Sequence, residues 1–165
     1  MDANDAELLK SIVTQQDIAA LGTLHAGEPF VSMVPYALGA GGELVIHVSR
    51  LAAHTADMLA HAGVSLMITA ARTPEVPAQA VARLSLQASA RVCPPGDAAY
   101  VTARAAYLAR FPESEPLFGF ADFSLFLLTP HNLRFVAGFA RARSLGADTW
   151  SRIFGSVAPT TQQDN

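Results

Sequence analysis

Residues 18–49 read IAALGTLHAGEPFVSMVPYALGAGGELVIHVS, and this stretch decides the fold. It holds three short apolar runs separated by two turns, in the order 18–25, 26–29, 30–38, 39–42 and 43–49. In the last run Leu44, Ile46 and Val48 occupy alternate positions, which is the period of a strand. Short strands joined by tight, glycine-containing turns predict an antiparallel meander.

The remainder of the chain adds helices around further strands. Helices are predicted over 4–16, 50–62 and 97–110, and strands over 64–70, 79–92, 122–128 and 133–137. A doubly wound parallel sheet would need a helix between most strands, and these helices are missing. The pattern predicts a small antiparallel barrel, mainly β with peripheral helices, in one domain over 1–150 with a partly mobile tail over 151–165.

The composition limits the possible classes of protein. The 165 residues are 51% hydrophobic and 15% charged, and they hold no apolar stretch of membrane-spanning length, which excludes disordered and single-span membrane chains. A net charge of −3 with scattered basic residues argues against nucleic-acid binding. A surface this apolar is expected to pair with a second copy as a homodimer. The single Cys93 and an acidic N-terminus without a signal segment predict a cytoplasmic protein.

The segment Ser49-Arg50-Leu51-Ala52-Ala53-His54-Thr55 lies where a predicted strand turns into a helix. Free N–H groups at a helix start attract an anion, and Ser49, His54 and Thr55 add donors at short range. These residues therefore indicate a phosphate site. The alternative is an ordinary strand-to-helix turn that Ser49 caps.

The second predicted strand carries Pro35, which removes a ladder donor and so favours an edge position. Free backbone groups at Met33, Val34 and Tyr36 are then available to a planar heterocycle. The alternative is an edge strand with nothing bound.

Two further patterns have weaker chemical meaning. His54, Asp57 and His61 share one helix face, but the spacing lacks a zinc-site signature, so no metal is expected. Arg83 opens an apolar strand, where it either forms a rim ion pair or reaches a bound anion or ring.

Taken together, the sequence resembles the FMN-binding split barrels related to pyridoxamine 5'-phosphate oxidase, and more narrowly their haem-utilisation branch. The resemblance is carried in order by LGTL (21–24), GEPFVSMVPY (27–36), SRLAAHT (49–55), RLSL (83–86), YLARFP (107–112), DFSL (122–125) and GFARA (138–142). Each motif is short, but their order and spacing cover residues 15–143.

This resemblance implies a six-stranded split barrel that forms homodimers with FMN at the interface. It implies that the cofactor-binding residues are Ser32, Met33, Val34 and Tyr36 beside the flavin, Ser49, His54 and Thr55 at its phosphate, Arg83 across the dimer, and Arg141 near the pocket. The catalytic residues are not indicated.

The function expected from the resemblance is an FMN-dependent oxidoreductase that acts on a small molecule. Pyridoxal phosphate synthesis is not expected, because the basic residues of true pyridoxamine phosphate oxidases are replaced here by residues such as Ser32 and Ala53. One alternative is a haem-binding or haem-degrading protein on the same barrel, with His25 or His131 as the iron ligand. Another is a flavin-binding module without catalysis.

Overall fold

The computed structural model describes residues 1–155, which form one curled antiparallel sheet with helices packed on it. The elements in chain order are α1 (Ala3–Gln15), β1 (Ile18–His25), β2 (Glu28–Pro35), β3 (Ala37–Leu38), β4 (Leu44–Ser49), α2 (Ala53–Ala60), β5 (Gly63–Thr69), β6 (Arg83–Val92), α3 (Tyr100–Arg110), β7 (Phe123–Val136), β8 (Ala142–Gly146) and α4 (Ala147–Phe154). Short 3-10 segments lie at Ala78–Ala80 and Pro112–Gly119.

The strand order is β2-β1-β5-β6-β7-β4-β3, and β8 pairs with β7 outside this path. The 14-residue β7 pairs with β4 over residues 123–128 and with β6 over residues 126–136, so it joins the two halves of the sheet. The sheet curls until β2 contacts β4 without a hydrogen-bonded ladder between them. The antiparallel split barrel predicted from the sequence is therefore present, mainly β with peripheral helices.

Two apolar cores lie on opposite sides of β4 and β7. The barrel interior buries alternate residues of the strands, including Leu21, Leu66 and Leu86, under α1 and α4. The second core lies outside the barrel, where α3 covers the other face of β4 and β7. Because β4 is covered on both faces, five of its six residues are buried, as its nearly continuous apolar sequence requires.

The structure differs from the predicted six strands: residues 1–155 contain eight. The turn predicted at 129–132 lies inside β7, because Pro130 is placed at a register shift opposite Ala88, where a missing donor is tolerated. The corner after Gly138 is a tight turn, with φ of +154° at Gly138 and +57° at Ala140, and it leads into the additional strand β8.

The predicted end of the domain at residue 150 falls inside α4. Trp150 and Phe154 of this helix are buried in the barrel core, and the Trp150 indole donates a hydrogen bond to the Gly42 carbonyl oxygen at 2.7 Å. The packed chain therefore continues to the end of α4. The remainder of the predicted tail, 156–165, lies outside the described residues.

Within residues 1–155, no helix combines the length and the apolar character that crossing a membrane would require.

Candidate functional site

Two hydroxyl groups that the sequence predicts to bind a phosphate, those of Ser49 and Thr55, form hydrogen bonds within the protein at the start of α2. Thr55 is buried and its Oγ1 donates to the Ser49 carbonyl oxygen at 2.7 Å. The Ser49 Oγ donates to Asp122 at 2.9 Å and accepts from the Leu51 amide at 3.1 Å. Both hydroxyls therefore hold the strand-to-helix turn together in this structure. The residue at the helix start is Ala52, which has no side-chain cap.

His54 is the residue of this segment whose polar atoms remain available. Its Nε2 is buried and has no hydrogen-bond partner, and the same is true of the Oγ of Ser32 on β2. Burial lowers the pKa of His54, and the nearby Asp57 carboxylate opposes that shift only in part. Buried polar atoms without partners are infrequent in folded proteins, so these two atoms mark places where a ligand or water would be stabilised.

The residues predicted along β2 alternate between the two faces of the sheet. Val34 is buried in the barrel core, Ser32 faces the same side, and Met33 points outward with 60% of its surface exposed. Tyr36 is fully buried and donates from its hydroxyl to the Val13 carbonyl oxygen at 2.8 Å; burial raises its pKa well above the ordinary value. In one protomer, Met33 alone of these four offers an outward side chain.

The two predicted arginines have partners within the protomer. Arg83 donates to the carbonyl oxygens of Gln79 and Val81 at 3.3 and 3.1 Å. Arg141 forms an ion pair with the buried Asp5 of α1, so this arginine ties the helix to the turn before β8.

Arg83 lies at the opposite end of β5 from the residues that follow α2. It pairs with Thr69 at one end of β5, whereas α2 leads into Gly63 at the other end, six residues away or about 20 Å. The resemblance places Arg83 across the dimer from the flavin, and its site role stays a prediction.

A cleft of about 430 Å³ opens where β1, β2, β5 and β6 come together near the end of α2. Its lining residues are Gly22, Thr23, Leu24, Pro29, Phe30, Val31, His61, Gly63, Val64, Ser65, Gln87, Ala88 and His131. Most of this surface is apolar or small, and His61 and His131 supply its nitrogen donors. Such a combination suits a large flat ligand that also needs a metal-binding nitrogen.

A buried carboxylate holds a third histidine at the rim of this cleft. Asp57 of α2 is 5% exposed and accepts hydrogen bonds from the Thr23 hydroxyl and from His25 Nδ1, both at 2.8 Å. Burial by itself would raise the pKa of Asp57, but the hydrogen bonds from His25 and Thr23 outweigh it and hold the pKa below its usual range. The carboxylate therefore stays ionised, and His25 keeps a fixed orientation.

The hydrogen bonds of Asp57 to Thr23 and His25 do not follow from the spacing on α2, which predicts that Asp57 shares a helix face with His54 and His61. His61 in fact lies beyond the last residue of α2. The available signal was on β1, where Thr23 and His25 are two residues apart and so share one face of the strand. Residues 1–155 contain no cluster of three or more His, Cys, Asp or Glu side chains that could hold a metal ion.

Beside the cleft, the outward side of β2, β1 and β5 forms an uncovered apolar surface. We call it the open face; it consists of Ile18, Ala20, Val31, Met33 and Met67. Met33, Ala20 and Met67 lie side by side in the ladder, and the four large side chains are 44–69% exposed. Val31 also lines the cleft, so the two surfaces are continuous.

Comparison with known proteins places these features in a family context. A family model described as "CREG, beta-barrel" matches residues 2–152. The chain is 38% identical over 128 residues to an Arabidopsis thaliana protein named "Non-canonical heme oxygenase HOZ, chloroplastic". The match covers 78% of this chain but only 37% of that protein, so this chain corresponds to little more than a third of its relative's length.

Solved structures with the same fold include two proteins described by their relation to haem. A haem-binding protein from Mycobacterium smegmatis has a TM-score of 0.81 and 29% identity, over 92% of this chain and 62% of that one. HutZ, the haem storage protein of Vibrio cholerae, has a TM-score of 0.69 and 26% identity, over 76% of this chain and 89% of that one.

Proposed function

The chain belongs to the CREG beta-barrel family, which confirms the resemblance to the haem-utilisation branch of the split barrels, and from this premise we propose that two copies of it bind haem between their open faces. The sequence by itself favoured FMN, with haem as the alternative. We favour haem over FMN because the relatives that are 38% and 29% identical are named for haem.

The observation that carries the proposal is the continuity of the cleft with the open face. Haem is a flat apolar ring with an iron at its centre, so its site needs a dry slot and a side chain that can bind iron, such as a neutral imidazole. The open face supplies apolar side chains, Val31 joins it to the cleft, and His25, His61 and His131 lie in or at the edge of that cleft. When bound, the iron would supply the redox chemistry, and the protein would bind, orient and shield the ring.

A second copy is part of the proposal for a physical reason. One protomer offers a single wall, and a ring lying on it would leave its other side in water. Pairing two open faces would bury the four large apolar side chains, which are 44–69% exposed, so each would contribute about half of the roughly 1.5–3 kcal/mol of full burial. The homodimer predicted from composition would therefore also complete the ligand site.

The direct test is titration of the purified protein with hemin, followed by visible absorption, together with light scattering to measure mass. We expect a shifted Soret band that saturates at a fixed ratio of hemin to protein, on a species of twice the monomer mass. A Soret band that stays at the position of free hemin, or a monomeric protein that binds hemin equally well, would contradict the proposal.

FMN remains the second candidate, because His54 Nε2 and Ser32 Oγ are buried without partners near α2 and β2. If the phosphate-tailed flavin binds there, His54→Ala should weaken FMN binding about tenfold, measured by quenching of flavin fluorescence. The same variant should leave the hemin titration unchanged, since His54 does not line the cleft. Absence of FMN binding to the wild-type protein would remove this candidate.

A further inference from the structure

Three histidines lie at or beside the cleft, and their hydrogen bonds distinguish them. His131 lines the cleft on β7 and makes no side-chain hydrogen bond within residues 1–155, so nothing there fixes its ring. His61 Nδ1 lies 3.2 Å from the Gly63 amide nitrogen and 3.4 Å from the Gly63 carbonyl oxygen. These two contacts fit opposite tautomers, so they do not fix which nitrogen of His61 carries the proton.

The tautomer of His25, by contrast, is fixed by its partner. An ionised carboxylate can only accept hydrogen bonds, so the bond between His25 Nδ1 and Asp57 Oδ1 at 2.8 Å requires the proton on Nδ1. The Nε2 of the neutral ring then carries the lone pair. This is the tautomer that binds iron or zinc in proteins, and a carboxylate behind the ring is the usual means of selecting it.

The Asp57 carboxylate is itself held in place, so the His25 ring is oriented before any ligand arrives. The second oxygen of Asp57 accepts from Thr23 Oγ1 at 2.8 Å, and Asp57 is nearly inaccessible to solvent. The His25 side chain is 54% exposed, which leaves its free edge open to a ligand. Preorientation of this kind reduces the entropy that ligand binding would otherwise cost.

The position of His25 matches the proposed haem site. Its ring contacts that of Phe30, with centroids 5.5 Å apart and planes inclined at 44°. Phe30, Thr23 and Leu24 all line the cleft, so His25 lies at the rim where β1 and β2 meet. The His25 imidazole is therefore next to residues that line the cleft, although it is not itself part of the lining.

We propose that His25 is the residue of this chain that binds the haem iron through Nε2, with Asp57 and Thr23 as positioning residues behind it. This inference rests on the proposed function. It assigns the iron ligand to β1 of the barrel, and so selects His25 over His131, the other ligand expected from the sequence, and over His61.

The test compares single variants of the full chain in the hemin-bound, reduced form by resonance Raman spectroscopy. His25→Ala should lose the iron–histidine stretching band, and added imidazole should restore a band and the wild-type Soret position. His25→Gln retains an N–H donor for Asp57 and should also lose the band, which separates loss of the ligand from damage to the fold. His131→Ala and His61→Ala are the matched controls and should keep the band.

Asp57→Asn tests the positioning role separately. The amide can still contact His25 but carries no charge, so the iron–histidine band should move to lower frequency and hemin affinity should fall about tenfold. An unchanged band in both His25 variants, or loss of the band in either control variant instead, would overturn the inference while leaving haem binding intact. If the wild-type protein shows no shifted Soret band, the proposed function itself fails.

Discussion

The curled sheet has apolar side chains on two outward surfaces, one of which is covered by a helix while the other is exposed. On β4 and β7, Val45, Leu125 and Leu127 point outward but are buried, because α3 packs on them. We call this the covered face. On β2, β1 and β5, the open face presents Met33 and Met67 with no element of residues 1–155 packed over them.

The covered face stabilises the protomer itself, whereas the open face is available to a partner. The covered face is closed by Tyr107 of α3 and by Phe118, whose ring lies parallel to that of His47 with centroids 3.8 Å apart. Its contacts form whether or not a second copy is present. The open face would gain contacts only on association, so changes there should alter assembly and leave the fold intact.

The largest expected effect is loss of the proposed dimer in Met33→Asp. A carboxylate at the centre of an apolar interface is desolvated without a partner, so we expect dimer affinity to fall at least a hundredfold, about 3 kcal/mol. Analytical ultracentrifugation measures this change. The control is Val101→Asp on α3, where the replaced side chain is 75% exposed but lies outside the open face.

This prediction also depends on the variant remaining folded, which far-UV circular dichroism checks. Met33 is 60% exposed in the protomer, so the substitution should leave the spectrum unchanged. A dimer that survives Met33→Asp but dissociates in Val101→Asp would show that the interface lies on the α3 side.

The second prediction concerns the stability of the protomer, which should depend on the covered face more than on the open face. Leu127→Ala on the covered face removes a side chain that is only 5% exposed, and it should lower the free energy of unfolding by about 2–5 kcal/mol. Met67→Ala on the open face, measured in the monomeric Met33→Asp background, should cost less than about 1 kcal/mol, because Met67 is 44% exposed there. Urea denaturation measures both, and equal costs would contradict the distinction between the two faces.

The covered and open faces also differ in how well the sequence predicts them. The strands within residues 18–49 and the helices α1, α2 and α3 follow from local periodicity, and the structure confirms them within a few residues. The predicted meander is wrong, because β2 and β4 do not pair and lie near opposite ends of the strand order. The extent of β7 and the presence of β8 do not follow, because they depend on pairing with β6 across a register shift. The helix α4 does not follow from the sequence with the same clarity because it has only eight residues, although Trp150 and Phe154 have helical spacing and both are buried in the barrel core.

The site was harder to predict than the fold for a related reason. Residue types at the start of α2 indicate donors, but they do not show that Ser49 and Thr55 bond within the turn itself. Thr23 and Asp57 are 34 residues apart, so no local pattern joins them. A hydrogen bond of this kind is a consequence of the tertiary packing of α2 on β1.

The smallest effect concerns His47, which lies on the covered face side of β4. Burial, with a smaller contribution from the Arg104 charge, lowers the pKa of His47 from 6.5 to about 4. Between pH 4 and pH 6.5, His47 is therefore protonated in the unfolded chain but neutral in the folded chain. Stability is fully present above pH 6.5 and is lost as the pH falls toward 4, by about 2 kcal/mol at pH 4.5.

His47→Phe should flatten this dependence because phenylalanine keeps the stacking on Phe118 and has no proton to bind. A residual slope should remain, since burial also lowers the pKa of His54. The measurement is urea denaturation of both proteins at pH 7 and at pH 4.5, where the carboxylates with lowered pKa values remain ionised. If wild type and His47→Phe lose the same stability between these two pH values, the covered face does not hold His47 in its neutral form.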